Sequence, residues 1–220
     1  MASWMVHLRI ADELLKRIDD LDETAFVLGN IAPDSGVPNE DWSEYTPPGY
    51  VTHYKTKPED RMYVDIEKYV SEYFTKEKIK EYNKKEYSFF LGYYTHLLTD
   101  IEWAKMVRSV GVTEENAAKE GMSYQDYIWK NKGDWYDLDF LYLRDHPDFR
   151  AFHIYEDAED ITNIYMDIFA KDAFENRREY ICGYYHSDNH GDLDRDYKYL
   201  SRERYDRFVF ETVEVIKENL

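Results

Sequence analysis

The chain has 220 residues, 43% of them apolar, which fits one folded domain and argues against wholesale disorder. Acidic residues outnumber basic ones by 46 to 28, for a formal charge of −18. That surface repels duplex DNA and anionic membranes, whose binding needs Lys and Arg, but leaves small phosphorylated substrates open. One cysteine, Cys182, excludes an intramolecular disulfide. That suits a cytoplasmic protein, as does the lack of a basic, apolar leader. No apolar run reaches the ~20 residues of a membrane span.

The elements read almost entirely as helix. Ser3 is placed to cap a first helix whose inward face carries Ile10, Ala11, Leu14, Leu15 and Ile18, with His7 on that face. A second helix is predicted from about Glu23 to Leu28, stopping at Gly29-Asn30. Residues 31–57 hold four of the six prolines and read as a long loop. A loop of that length that carries Asp34 and His53 points to function. Helical spacing resumes from about Pro58 to Phe74. A long helix, broken near Lys84, covers about Thr75 to Val110. Several shorter helices fill 112–180, with breaks at Gly121, Gly133 and Pro147. Tyr184 to Asp196 reads as a polar loop. The last helix spans about Asp196 to Glu218, with Tyr205, Phe208, Val209, Thr212, Val213 and Ile216 inward. No strand shows period-two alternation, so the fold class is all-α, a single-domain multi-helix bundle over 1–220.

His96 and Asp100 lie at i and i+4 on one helix face, among Phe89, Gly92, Tyr93, Leu97 and Trp103. A carboxylate on so apolar a face needs a partner or a metal. The two side chains could also bond each other, or an arginine, in the core. Gly92, one turn earlier, permits close approach of a ligand or another backbone. His7, Asp34 and His53 are unremarkable singly. The five together offer three imidazoles and two carboxylates, a donor set suited to zinc or another divalent ion. One carboxylate, Asp100, could bridge two ions. Such ions turn bound water into hydroxide near neutral pH, able to attack phosphorus, and stabilise the departing oxygen. Asp34 and Asp100 are the candidate catalytic residues. No Gly-rich phosphate loop, Gly-x-Ser-x-Gly elbow, paired Cys-x-x-Cys, adjacent His-Asp or calcium-loop spacing competes with this reading.

In order, His7, Asn30-Ile31-Ala32-Pro33-Asp34, Thr52-His53-Tyr54 and Gly92-Tyr93-Tyr94-Thr95-His96-Leu97-Leu98-Thr99-Asp100 resemble the bacterial zinc-dependent phospholipase C family. Zinc-dependent single-strand nucleases are its more distant relatives. The resemblance covers roughly residues 3–104. It implies an all-helical fold, one or two zinc ions and phosphodiester hydrolysis. It also implies that Asp34, His53, His96 and Asp100 bind one ion, and that Asp100 bridges to a second held by His7. Two positions depart from the family pattern. In secreted members a tryptophan freed by processing gives its terminal amino group to an ion, whereas Trp4 is internal in this sequence. Another family histidine, six residues after the helical Asp, is Met106 here.

His186 and His190, in the polar loop, and His153 are further candidates, the loop as a cover over the ions. Asp137 and Asp139 read as helix-surface charge. The resulting expectation is a metal-dependent phosphoester hydrolase acting on a small phosphorylated substrate or lipid headgroup ester. The alternatives are a non-enzymatic helical protein with a structural or vestigial metal site, and a metal-free helical protein with a polar core network.

Overall fold

A computed structural model describes residues 1–41, 43–55 and 64–220. The fold is all-α. Helix α1 spans Trp4–Leu15, capped by Ser3, whose hydroxyl accepts the Val6 N–H. It is buried nearly all round, with His7, Arg9 and Asp12 covered as well as Met5, Val6, Leu8, Ile10, Ala11 and Leu14, as expected of a helix with neighbours on several sides. Helix α2 spans Glu23–Ile31 and continues into a 3-10 turn, Ala32–Asp34. The expected stop at Gly29 does not occur. Gly29 stays helical because its missing side chain is where another helix passes: a Cβ there would lie 2.1 Å from the Phe89 carbonyl oxygen.

The loop of residues 31–57 is more ordered than its composition implies. It contains a two-residue antiparallel ladder, Val37–Pro38 with Tyr45–Thr46, and a short helix α3, Gly49–Thr52. That ladder is too short to show period-two alternation, and the all-α class holds. Helix α4 covers Ile66–Tyr73, and the expected start near Pro58 lies outside the described residues. Helices α5, Lys76–Glu81, and α6, Lys84–Ser109, part near Lys84 as expected. There Asn83 and Glu86 form a reciprocal cap.

Next come α7 (Glu114–Lys119), α8 (Tyr124–Asp145) and α9 (Arg150–Glu156). Helix α8 runs straight through Gly133, an exposed position at which a helix absorbs the roughly 1 kcal/mol cost of glycine. Helix α10 is Ala173–Tyr185. Helix α11 is Arg202–Glu218, starting at its Ser201 cap, later than the periodicity suggested, with the six expected residues buried. Among the described residues, no helix is long and apolar enough to cross a membrane.

The core gathers around α6, with α2 lying along it. At Gly92 a Cβ would lie 2.2 Å from the Phe26 carbonyl oxygen, so Gly92 and Gly29 bring two backbones into direct contact. Aromatic rings fill the rest. Trp103 meets Trp135 and Phe208 edge-on, and Tyr69 stacks on Tyr93. Each large apolar side chain so buried contributes about 1.5–3 kcal/mol.

Candidate metal centre

Four elements converge on one point. His7 comes from α1, Asp34 from the end of the 3-10 turn, His53 from the C-cap of α3, and His96 and Asp100 from successive turns of α6. The three histidines and Asp100 are buried, and Asp34 is nearly so. The His7 and His96 rings stack with centroids 3.7 Å apart and planes 5° from parallel. Asp100 faces two ways: Oδ1 lies 3.6 Å from His7 Nε2, while Oδ2 lies 3.7 Å from His53 Nε2 and 3.8 Å from His96 Nε2. His53 Nε2 is also 3.3 Å from Asp34 Oδ1.

The outer hydrogen bonds set the tautomers. His96 Nδ1 lies 2.8 Å from the Asn30 carbonyl oxygen and His53 Nδ1 lies 2.8 Å from that of Gly49. A carbonyl only accepts, so both Nδ1 atoms carry the proton. In neutral rings both Nε2 atoms would then present lone pairs, and they stand 3.2 Å apart. Two lone pairs facing each other at that distance repel unless a cation lies between them. Nitrogens bound tetrahedrally to zinc at about 2.0–2.1 Å sit about 3.3 Å from one another, close to the separation here. Among the described residues, His7 Nδ1 and Nε2 and Asp100 Oδ2 have no hydrogen-bond partner despite burial, a costly state without a ligand. The residues therefore fit a divalent metal. Among the described residues, two triads could hold an ion: His7, His96 and Asp100, and Asp34, His53 and His96.

Electrostatics favours the ligand forms of the side chains. Burial, reinforced by His7, drives the His96 pKa down to about 3, which keeps the ring neutral. Burial alone would raise the Asp34 carboxyl, but the adjacent His53 and the surrounding imidazoles hold it well below the usual carboxylate range. Asp100 is likewise held low against its burial, by the adjacent amino terminus and by the His7 and His96 rings. Its Oδ1 also accepts the Ala2 N–H at 2.7 Å.

A cleft of about 400 Å³ opens over this centre, and its walls include Asp34, His53, Trp4, Tyr136 and Tyr180. Trp4 supplies a wall, set edge-on to Tyr180 and Tyr184. Met106, at the position of the further family histidine, is buried in the apolar core.

The other candidates lie elsewhere. His153, His186 and His190 are exposed and line a separate groove. His186 bonds Glu156, and His153 Nδ1 is 3.8 Å from the same carboxylate. The polar loop does not cover the metal centre because α8 holds it. Asp137 accepts the Gly191 N–H at 2.9 Å and pairs with Arg195 at 2.8 Å, and Arg195 also reaches Asp134 at 2.7 Å. Asp137 and Asp139 are thus buried anchors, not surface charge. Asp139 accepts hydroxyls from Ser3, Tyr185 and Tyr205, tying the start of α1 to α8, α10 and α11. Cys182 is free, and burial pushes its thiol up to about 11, which makes it a poor nucleophile. Sequence reasoning missed two cleft cations, Arg177 and Lys132. They sit on helices with no local motif, and only the fold brings them to the site.

Residues 6–103 match the family model described as zinc dependent phospholipase C. The match spans a little under half of the chain and contains His7, Asp34, His53, His96 and Asp100. It supports the family resemblance read from those motifs. The comparisons with curated proteins and with solved structures gave no match.

Proposed function

We propose that the chain is a zinc-dependent phosphoester hydrolase. The observation that carries this reading is the pair of Nε2 lone pairs, 3.2 Å apart, beside a carboxylate and under an open cleft. Asp34, His53 and His96 would hold one ion and His7 a second, with Asp100 shared because its two oxygens face the two groups. Bound zinc supplies an activated water at neutral pH and neutralises phosphoryl charge.

The protein's own side chains do the rest. Asn30 and Gly49 carbonyls lock the His96 and His53 rings in orientation. Asp34 and His53 form the floor on which a phosphoryl group rests, and the aromatic walls exclude water and hold the organic part of the ester. A purely structural metal would be closed off by protein, and the cleft over Asp34 and His53 favours the hydrolytic reading.

The test is metal content and diesterase turnover of wild type and Asp100→Ala. Bound zinc with turnover in the wild type, both lost in the variant, is the expected result. Stoichiometric zinc with no turnover on any phosphoester of a broad panel would overturn it.

A further inference from the structure

The wall of the cleft carries an unusual charge. Arg177, on α10, is buried to 7% exposure, yet its one hydrogen-bond partner among the described residues is the Gly36 carbonyl, 2.6 Å from Nη2. Among the described residues no ion pair holds its guanidinium. A buried cation without an anion costs several kcal/mol. Arg177 also lies along the cleft, where Lys132 is the second cation and Asp34, a metal-ligand candidate, is the one carboxylate among the described lining residues. In a chain of charge −18, a guanidinium set in the cleft wall runs against the composition.

The aromatic walls are already engaged by these cations. The Arg177 guanidinium lies 5.9 Å from the Trp4 ring and 5.6 Å from the Tyr180 ring. The Lys132 ammonium lies 4.5 Å from the Trp129 ring and 5.9 Å from the Tyr136 ring. Ring faces that would otherwise attract a ligand cation are spent on side-chain cations. A quaternary ammonium group entering the cleft would meet the like charge of the Arg177 guanidinium.

We propose that the cleft selects phosphate esters whose organic part is neutral or anionic over those bearing a quaternary ammonium, with Arg177 binding an anionic oxygen of the substrate. This substrate class rests on the hydrolytic reading above, but the preference is a property of the cleft wall and can be measured without turnover. The matched probes are glycerol 3-phosphate and phosphocholine, which share a phosphomonoester and differ in the ammonium. Calorimetric titration of the zinc-supplemented protein is expected to show glycerol phosphate binding at least about tenfold tighter. Arg177→Gln should weaken glycerol phosphate by about 10–100-fold, the worth of one charge-assisted hydrogen bond, and bring the two probes within about threefold. Arg177→Lys should keep the preference.

Equal or tighter binding of phosphocholine by the wild type overturns the proposal. So does an Arg177→Gln protein that retains the wild-type ratio. If that variant does not fold, the wild-type ratio decides together with Arg177→Lys, whose loss of the preference also overturns the proposal. Zinc analysis of the same samples separates the two claims, since a protein that takes up no zinc sinks the hydrolytic reading while the probe ratio still judges the cleft.

Discussion

Replacing Gly92 with alanine puts one methyl group where two helix backbones touch. The new Cβ would lie 2.2 Å from the Phe26 carbonyl oxygen and 2.9 Å from the Asn30 nitrogen, where ordinary contact begins at 3.4 Å. Neither atom belongs to a side chain that can swing away, so α2 must retreat from α6 by roughly 1 Å. Overpacking of this kind costs about 1–3 kcal/mol, and contact with backbone places it at the upper end. Alanine regains about 1 kcal/mol of helix propensity, leaving about 2 kcal/mol of net destabilisation. For a chain of this size that lowers Tm by about 4–8 °C. The same displacement draws the Asn30 carbonyl away from His96 Nδ1, now at 2.8 Å. Losing such an outer hydrogen bond lowers zinc affinity about 10–100-fold. Thermal unfolding and competitive zinc titration of Gly92→Ala measure both effects. Gly133→Ala is the control: a Cβ there meets nothing within 4 Å, so Tm should stay level or rise by a few degrees. A Gly92→Ala protein as stable and as zinc-avid as wild type would refute the reasoning.

Further outcomes follow from the same geometry. Chelation should lower Tm by about 5–10 °C for protein held at a hundredfold excess of zinc over Kd, since binding then contributes about 2.7 kcal/mol; an unchanged Tm would mean that the buried histidines carry no ion. Asp139 has its carboxyl pushed up to about 7 by burial, despite three hydroxyl donors. The folded protein therefore holds a proton there that the unfolded chain gives up near pH 3.9, and this group's contribution to stability declines as pH rises from about 4 to about 7. Asp139→Asn removes the titration, so the stability of the variant relative to wild type should rise across that window by up to about 4 kcal/mol. Chemical denaturation at several pH values measures it, and a flat difference would contradict the assignment. Substituting His186 or His190 with alanine should leave zinc stoichiometry unchanged by elemental analysis, because both lie in the groove around Glu156. A lost zinc equivalent would return them to the metal centre.

The helical class and most of the candidate site were legible in the chain because they depend on local chemistry. Period-3.6 apolar faces mark α1 and α11. The i, i+4 spacing of His96 and Asp100 places both on one face before any fold is known. The other three candidates carry weaker signals: His7 interrupts an apolar stripe, and Asp34 and His53 stand in a proline-rich segment. Gly92 announced a close approach without saying to what. Gly29 and Gly133 were misread as stops because a glycine in a helix has two meanings, contact or mere tolerance, which only the neighbouring helix distinguishes.

What the sequence by itself determined is therefore an all-α chain carrying a zinc-type donor set in a familiar order. What only the tertiary structure decided is which donors meet. Asp34 and His53 reach the centre because the turn after α2 and the cap of α3 fold beside α6. His153, His186 and His190 do not, because buried Asp134 and Asp137 hold the polar loop on α8. Arg177 and Lys132 become cleft residues only when α10 and α8 pack beside the start of α1. The physical reason is range. Helix propensity and capping act within a turn or two of chain, whereas a metal centre and its charge environment are set by groups tens to hundreds of residues apart, whose meeting depends on how the whole core packs.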